Sequence, residues 1–124
     1  MNTEIIKKRI SALARVLKET EVDGMIVTSM SNVTYLTGFM GHDSWALVLG
    51  KKVWLITDSR YTEQASSECS GCKIVQRSRG LAEEAAKILK RNKSKQRLAI
   101  EDTLSLAAFA NIKKHIKLKF KKTS

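Results

Sequence analysis

The run Met25-Ile26-Val27 constrains this chain more than any other stretch. It is too short for a helix and offers no polar position, so as a strand it must be covered on both faces. The residues before it supply one cover. Ile6, Ile10, Leu13 and Leu17 recur at steps of four, three and four, which puts them on one face of a helix. Asn2 or Thr3 is the expected N-cap, Glu4 falls in the first turn, and the helix should end near Thr20. A helix followed by a doubly buried strand implies layered α/β packing.

The same alternation continues. Ser44 to Leu49 and Val53 to Thr57 are apolar, β-prone runs joined by Gly50-Lys51-Lys52, which reads as a hairpin and makes at least one strand pair antiparallel. Asp58 follows directly and is expected to cap a helix through Ala65. Lys73 to Gln76 is a short strand. Leu81, Ala85, Ile88 and Leu89 mark a helix that begins after Gly80 and frays into Arg91-Asn92-Lys93-Ser94-Lys95. Leu98-Ala99-Ile100 is the next strand, and Leu106, Phe109, Ile112 and Ile116 return to helical spacing. Lys117-Leu118-Lys119-Phe120-Lys121 then alternates with period two, as a strand with one wet face does. These elements predict one α/β domain, three layers deep (α/β/α), around a mixed, mainly parallel sheet of about six strands.

The 124 residues fit a single domain. No apolar run approaches the roughly 18 residues of a membrane span, the longest candidate being Leu104 to Ala110. No signal-peptide pattern opens the chain, and a cytoplasmic location is expected. The net charge of +11 raises the question of a nucleic-acid or membrane partner. Its clusters, Lys90 to Arg97 and Lys113 to Lys122, carry no interleaved stacking motif, so a solvated face is the expectation and neither partner is.

Cys69-Ser70-Gly71-Cys72 matches C-x-x-C, a redox pair or half of a zinc site elsewhere. Here it follows a helix rather than opening one, and only His42 and His115 are available as further ligands, so incidental cysteines are expected. His42-Asp43-Ser44 has the residue types of a catalytic triad, but three consecutive side chains do not converge as one requires. The common metalloprotease, P-loop, nucleophile-elbow and dinucleotide motifs are absent.

Two linked segments say more. The run Ser31-Asn32-Val33-Thr34-Tyr35-Leu36-Thr37-Gly38-Phe39-Met40-Gly41 is followed by Asp58-Ser59-Arg60-Tyr61-Thr62-Glu63-Gln64-Ala65. Together they resemble the signature of the N-terminal domains of the creatinase, prolidase and aminopeptidase P family, with Leu98-Ala99-Ile100-Glu101 resembling a family strand that ends in Glu. The resemblance implies a ribonuclease H-like α/β/α fold. Asn32, Tyr35, Gly38, Phe39, Gly41, Asp58, Tyr61 and Gln64 match as structural positions. Asn32 is expected to cap a short turn, Tyr35 to bury its ring beside the first strand, and Asp58, Arg60 and Tyr61 to act through capping, an ion pair and packing.

In the similar enzymes catalysis belongs to a second domain with two divalent metals, usually manganese, and it releases residues preceding proline. That domain would follow Ser124, and Lys121 to Ser124 is read as the start of a linker to it. No residue here is assigned to catalysis or to metal. The resemblance implies a domain that mediates homodimer contact and shapes substrate access at the partner subunit's active site, with His42, Asp43, Trp45 and Arg60 as rim candidates. Two alternatives stay open: a stand-alone binding or regulatory module, possibly for nucleic acid, and the first domain of a creatinase-like amidinohydrolase.

Overall fold

A computed structural model describes residues 3–92 and 97–123. Its elements are α1 (Thr3–Glu19), β1 (Gly24–Val27), α2 (Met30–Thr37), β2 (Trp45–Leu49), β3 (Lys52–Thr57), α3 (Thr62–Glu68), β4 (Lys73–Gln76), α4 (Leu81–Arg91), β5 (Arg97–Glu101), α5 (Leu106–His115) and β6 (Lys119–Thr123). The strands form one sheet in the order β4-β3-β2-β1-β5-β6. β1 pairs parallel with β5, β5 with β6 and β3 with β4, whereas β2 runs antiparallel to both of its neighbours. The mixed, mainly parallel sheet expected from the sequence is therefore present.

Strand alternation divides the core into two layers. Met25, Val27, Ala46, Val48, Leu55 and Ala99 face α1, α2 and α3, where they meet Ile6, Ile10, Leu17, Val33 and Leu36. Ile26, Leu47, Trp54, Ile56, Leu98 and Ile100 face α4 and α5, where they meet Ala85, Ile88, Leu89 and Ile112. All four residues of β1 are buried, as the unbroken apolar run requires.

Several boundaries differ from expectation for local reasons. Met30–Thr37 is a helix, not a turn. Ser29 caps it by accepting from the Asn32 N–H at 3.4 Å, and Gly38 ends it with φ 87°, a left-handed conformation that glycine adopts without strain. Asp58 does not cap α3. Its carbonyl and carboxylate accept from the Tyr61 and Arg60 N–H groups in a tight turn, and the helix begins only at Thr62. The hairpin needs just Gly50-Lys51, because Lys52 already pairs with Leu49.

The last strand lies two residues later than the alternation suggested. Lys121 to Thr123 belongs to β6, paired with Ala99 to Glu101, so it is sheet and not the start of a linker. Phe120 is the apolar member of that alternation and meets Phe109 edge to face at 5.5 Å. Asn2, the basic residues Lys93 and Lys95, and Ser124 lie outside the described residues. Among the described residues no helix is long and apolar enough to cross a membrane.

Candidate functional site

The strand directions bring the C-terminal ends of β1, β3, β4, β5 and β6 and the start of β2 to one end of the sheet. Every residue singled out around positions 42–45 and 58–61 attaches there. Three linked groups build this end.

The first group centres on Glu101, the last residue of β5 and only 5% exposed. Its Oε1 accepts from the Thr28 N–H at 2.5 Å, the Thr28 hydroxyl at 2.9 Å and the Ser29 N–H at 2.8 Å. Its Oε2 accepts from Asn32 Nδ2 at 2.6 Å. Burial pushes the carboxyl up, but the hydrogen bonds from Asn32, Ser29 and Thr28 outweigh it and hold Glu101 below the ordinary carboxylate range. A negative charge therefore pairs the two N–H groups that lead into α2, at the helix end where the dipole favours it. Asn32 does not cap a turn as expected; it carries the side-chain bridge to Glu101 from within α2.

The second group clamps the loop from Gly38 to Asp43. Phe39 is fully buried and meets the Tyr61 ring edge to face at 5.9 Å. Gly41 lies directly on the Phe39 ring, where an added Cβ would come 2.2 Å from Cζ. Thr34 donates its hydroxyl to the Phe39 carbonyl at 2.6 Å, and the Phe39 N–H donates to the Thr37 hydroxyl at 3.1 Å. Glu68 of α3 accepts from the Met40 N–H at 2.8 Å and from Gln64 Nε2 at 3.1 Å. The two sequence segments of the resemblance are thus joined through Phe39–Tyr61 and through Met40–Glu68–Gln64.

The third group is ionic. Arg60 donates to Asp58 at 2.7 Å through Nη2 and at 3.1 Å through Nε, and its Nη2 also lies 3.3 Å from Asp43. Arg77, just past β4, approaches the same Asp58 oxygen at 3.6 Å. The hydrogen bond from Arg60 is the main cause that lowers the Asp58 carboxyl, and Asp58 in turn raises the Arg60 guanidinium. Two carboxylates and two guanidiniums balance, so the cluster fixes three loops to one another. Asp43, at φ 51°, and His42 are exposed, while Trp45 is half-buried at the start of β2 opposite Ile56.

The triad reading fails on geometry. Ser44 is buried and its hydroxyl bonds the His42 carbonyl at 2.9 Å and the Thr57 hydroxyl at 2.8 Å, while Asp43 turns to Arg60. Tyr35 is 51% exposed rather than buried beside β1. Its ring packs under the Arg9 guanidinium at 4.1 Å, and its carbonyl accepts from Arg9 at 3.0 Å. Among the described residues no three His, Cys, Asp or Glu side chains are grouped so as to hold a metal ion. The residues that sequence reasoning passed over are Thr28, Ser29, Glu68 and Arg77. A Gln64–Glu68 pair at helical spacing was the one local signal for them.

The comparisons agree with this architecture. The family model described as "Creatinase/Prolidase N-terminal domain" matches residues 9–124. Over 78 residues the chain is 37% identical to the "Uncharacterized peptidase YqhT" of Bacillus subtilis, a match that covers 63% of this chain and 22% of that protein. It superposes on the Xaa-Pro dipeptidase from Bacillus anthracis with a TM-score of 0.90 at 32% identity, covering 96% of this chain and 34% of the other. An Xaa-Pro aminopeptidase structure from Streptococcus pyogenes gives 0.86 at 28% identity, covering 98% of this chain and 95% of that one. The chain thus spans about a fifth to a third of the longer relatives. With the model match running from the first helix to the last strand, the chain belongs to the creatinase/prolidase N-terminal domain family.

Proposed function

We propose that this chain is the non-catalytic N-terminal domain of an Xaa-Pro dipeptidase or aminopeptidase P-like peptidase, and that its loop end forms a substrate-access rim for the partner subunit of a homodimer. One observation carries the reading. His42, Asp43 and Arg60, on loops held in place by Phe39, Tyr61, Glu68 and Asp58, stand with Trp45 of β2 at the one end of the sheet. Exposed polar groups beside a half-buried Trp on a braced scaffold suit the edge of a binding cleft better than they suit catalysis. In this reading the two divalent ions of the peptidase, manganese by the family resemblance, would be held by a catalytic domain following Ser124, and no residue of this chain is assigned to them. The intact protein would work in the cytoplasm on proline-containing peptides.

The experiment is kinetic. In the full-length enzyme, Trp45→Ala should raise KM or lower kcat for longer peptides more than for dipeptides. Unchanged kinetics on both would remove the rim from the proposal. The mass of the native protein tests the rest: about three times 13.9 kDa is expected if the chain covers a third of its protein, as it does of the Bacillus anthracis dipeptidase.

A further inference from the structure

Four of the six strands open on an exposed cation: β3 on Lys52, β4 on Lys73, β5 on Arg97 and β6 on Lys119. All four begin at the end of the sheet opposite the motif loops, where β2 finishes. Three surface hollows lie at or beside that end. One, of about 720 Å³, is lined by Lys51, Lys52, Lys73 and Arg91 and by no carboxylate. A second, of about 980 Å³, sets Lys18, Arg97, Lys117 and Lys119 against Glu21 and Asp23. In the third, Lys113 of α5 joins Arg97 and Lys119 beside Phe109 and Phe120.

All nine of these cations are exposed, and among the described residues none of them joins an ion pair. The loop end, by contrast, sets Asp43 and Asp58 against Arg60 and Arg77. Helix dipoles account for Lys18, Arg91 and Lys113, which stand in the last turns of α1, α4 and α5. The other six stand in strands or turns, where no dipole favours them. Arg97 and Lys119 are register partners in adjacent parallel strands, a placing in which like charges repel. An anion laid across both removes that repulsion. Taken singly, the basic stretches of the sequence carry no binding signal; the fold gathers cations from position 18 to position 119 at one end.

We propose that this end is a docking surface for the phosphate backbone of single-stranded nucleic acid, bound without regard to sequence. Six strands about 4.8 Å apart make the end about 24 Å wide, room for about seven phosphates of one strand at about 3.4 Å each. The cations line recesses, which a thin strand enters and a flat bilayer does not. The exposed large apolar side chains, Ile5, Val16, Tyr35, Met40 and Leu106, line none of the three hollows, so this end lacks the apolar anchor that membrane-surface binding uses. The rings that do line them, Trp54, Phe109 and Phe120, are buried or half-buried, so bases find no stacking platform and affinity comes from charge. The surface lies away from the rim and does not depend on it.

The test is fluorescence anisotropy with a short single-stranded RNA of mixed sequence, on this chain and on the full-length protein. Log affinity should fall linearly with log salt concentration at a slope of about −3 to −4, the value for about five neutralised phosphates. Lys52→Gln/Lys119→Gln should weaken binding about 25-fold at about 0.1 M salt, about fivefold for each lost contact. The control Lys7→Gln/Lys8→Gln removes the same net charge from the first half of α1 and should change affinity less than about twofold. All four positions are exposed, so both variants should melt no lower than the wild type. Equal losses in the two variants, binding that ignores salt, or tighter binding to vesicles of anionic phospholipid than to RNA at equal charge concentration would overturn the proposal. So would a full-length protein that binds no RNA while this chain does, which would give the basic end to the protein's own second domain.

Discussion

Asn32 and Glu101 lie 69 residues apart in sequence and 2.6 Å apart in the fold. Their contact joins the first motif helix to the end of the fifth strand. Because the carboxylate also takes the Thr28 and Ser29 N–H groups, it pairs the backbone donors that lead into α2.

Glu101→Gln removes the charge and keeps the shape. We expect a loss of about 2 kcal/mol in urea unfolding at neutral pH, the scale of a charge-assisted hydrogen bond exchanged for a neutral one in a buried place. The pH dependence is the sharper check. Folding holds the Glu101 carboxyl below its ordinary value of 4.5, so on acidification the unfolded chain binds the proton first. The stabilisation is complete above that value and is lost as pH falls through the folded-state value. The variant should therefore lose less stability than the wild type between about pH 5 and pH 2, keeping only the slope due to Asp58 and other carboxylates. Parallel curves would show that Glu101 contributes no net electrostatic stability.

Gly41→Ala places a methyl group against the Phe39 ring, at a contact no relaxed Cβ adopts. Since Phe39 is fully buried, the ring has little room to yield, and overpacking should cost about 1–3 kcal/mol. Equilibrium urea unfolding measures it. The double variant Gly41→Ala/Phe39→Leu should recover part of the loss relative to the sum of the single variants, because the clash leaves with the ring.

Phe39→Ala alone should be the most damaging of these changes, at about 3–5 kcal/mol, because it opens a cavity and strips Tyr61 of its edge-to-face partner. Tyr61→Leu should cost less, as Tyr61 is only partly buried. A smaller effect for Phe39→Ala than for Tyr61→Leu would contradict the packing described.

Asp43→Ala removes the outermost member of the ionic cluster. Asp43 and Arg60 are 65% and 61% exposed, so stability should change by less than about 1 kcal/mol in thermal unfolding. If the rim proposal holds, the same variant in the full-length enzyme should act on KM for longer peptides and leave the melting temperature alone.

Most of the architecture was legible because its signals are local. Wholly apolar three-residue runs and helical spacing fixed β1, β5, α1 and α4 to within a residue or two where they are described. What escaped was made by distant partners. Ser31-Asn32-Val33-Thr34 has poor helix propensity, and α2 forms because Ser29, Gly38 and, from 69 to 73 residues away, Glu101 satisfy its ends. Asp58 looked like a cap because capping is the commonest use of Asp after a strand, yet Arg60 and Arg77 claim its carboxylate. Tyr35 looked buried because aromatic residues usually are; the helix turns it outward to Arg9. That the loop residues around 42–45 and 58–61 belong together was readable from the motif spacing, while their bracing by Glu68 and Phe39 needed the fold.

The pairing of β1 with β5 also sets an order of events. Six elements separate the two strands, and the residue that completes the start of α2 stands at the far end of the later one. A ribosome delivers the motif near position 35 long before it delivers Glu101. Its anion comes into place only with that long-range parallel pairing, a contact of the slow-forming kind. Maturation of the loop end is thereby tied to near-completion of the whole domain, so a chain stopped short of residue 101 carries the family's signature sequence without its architecture.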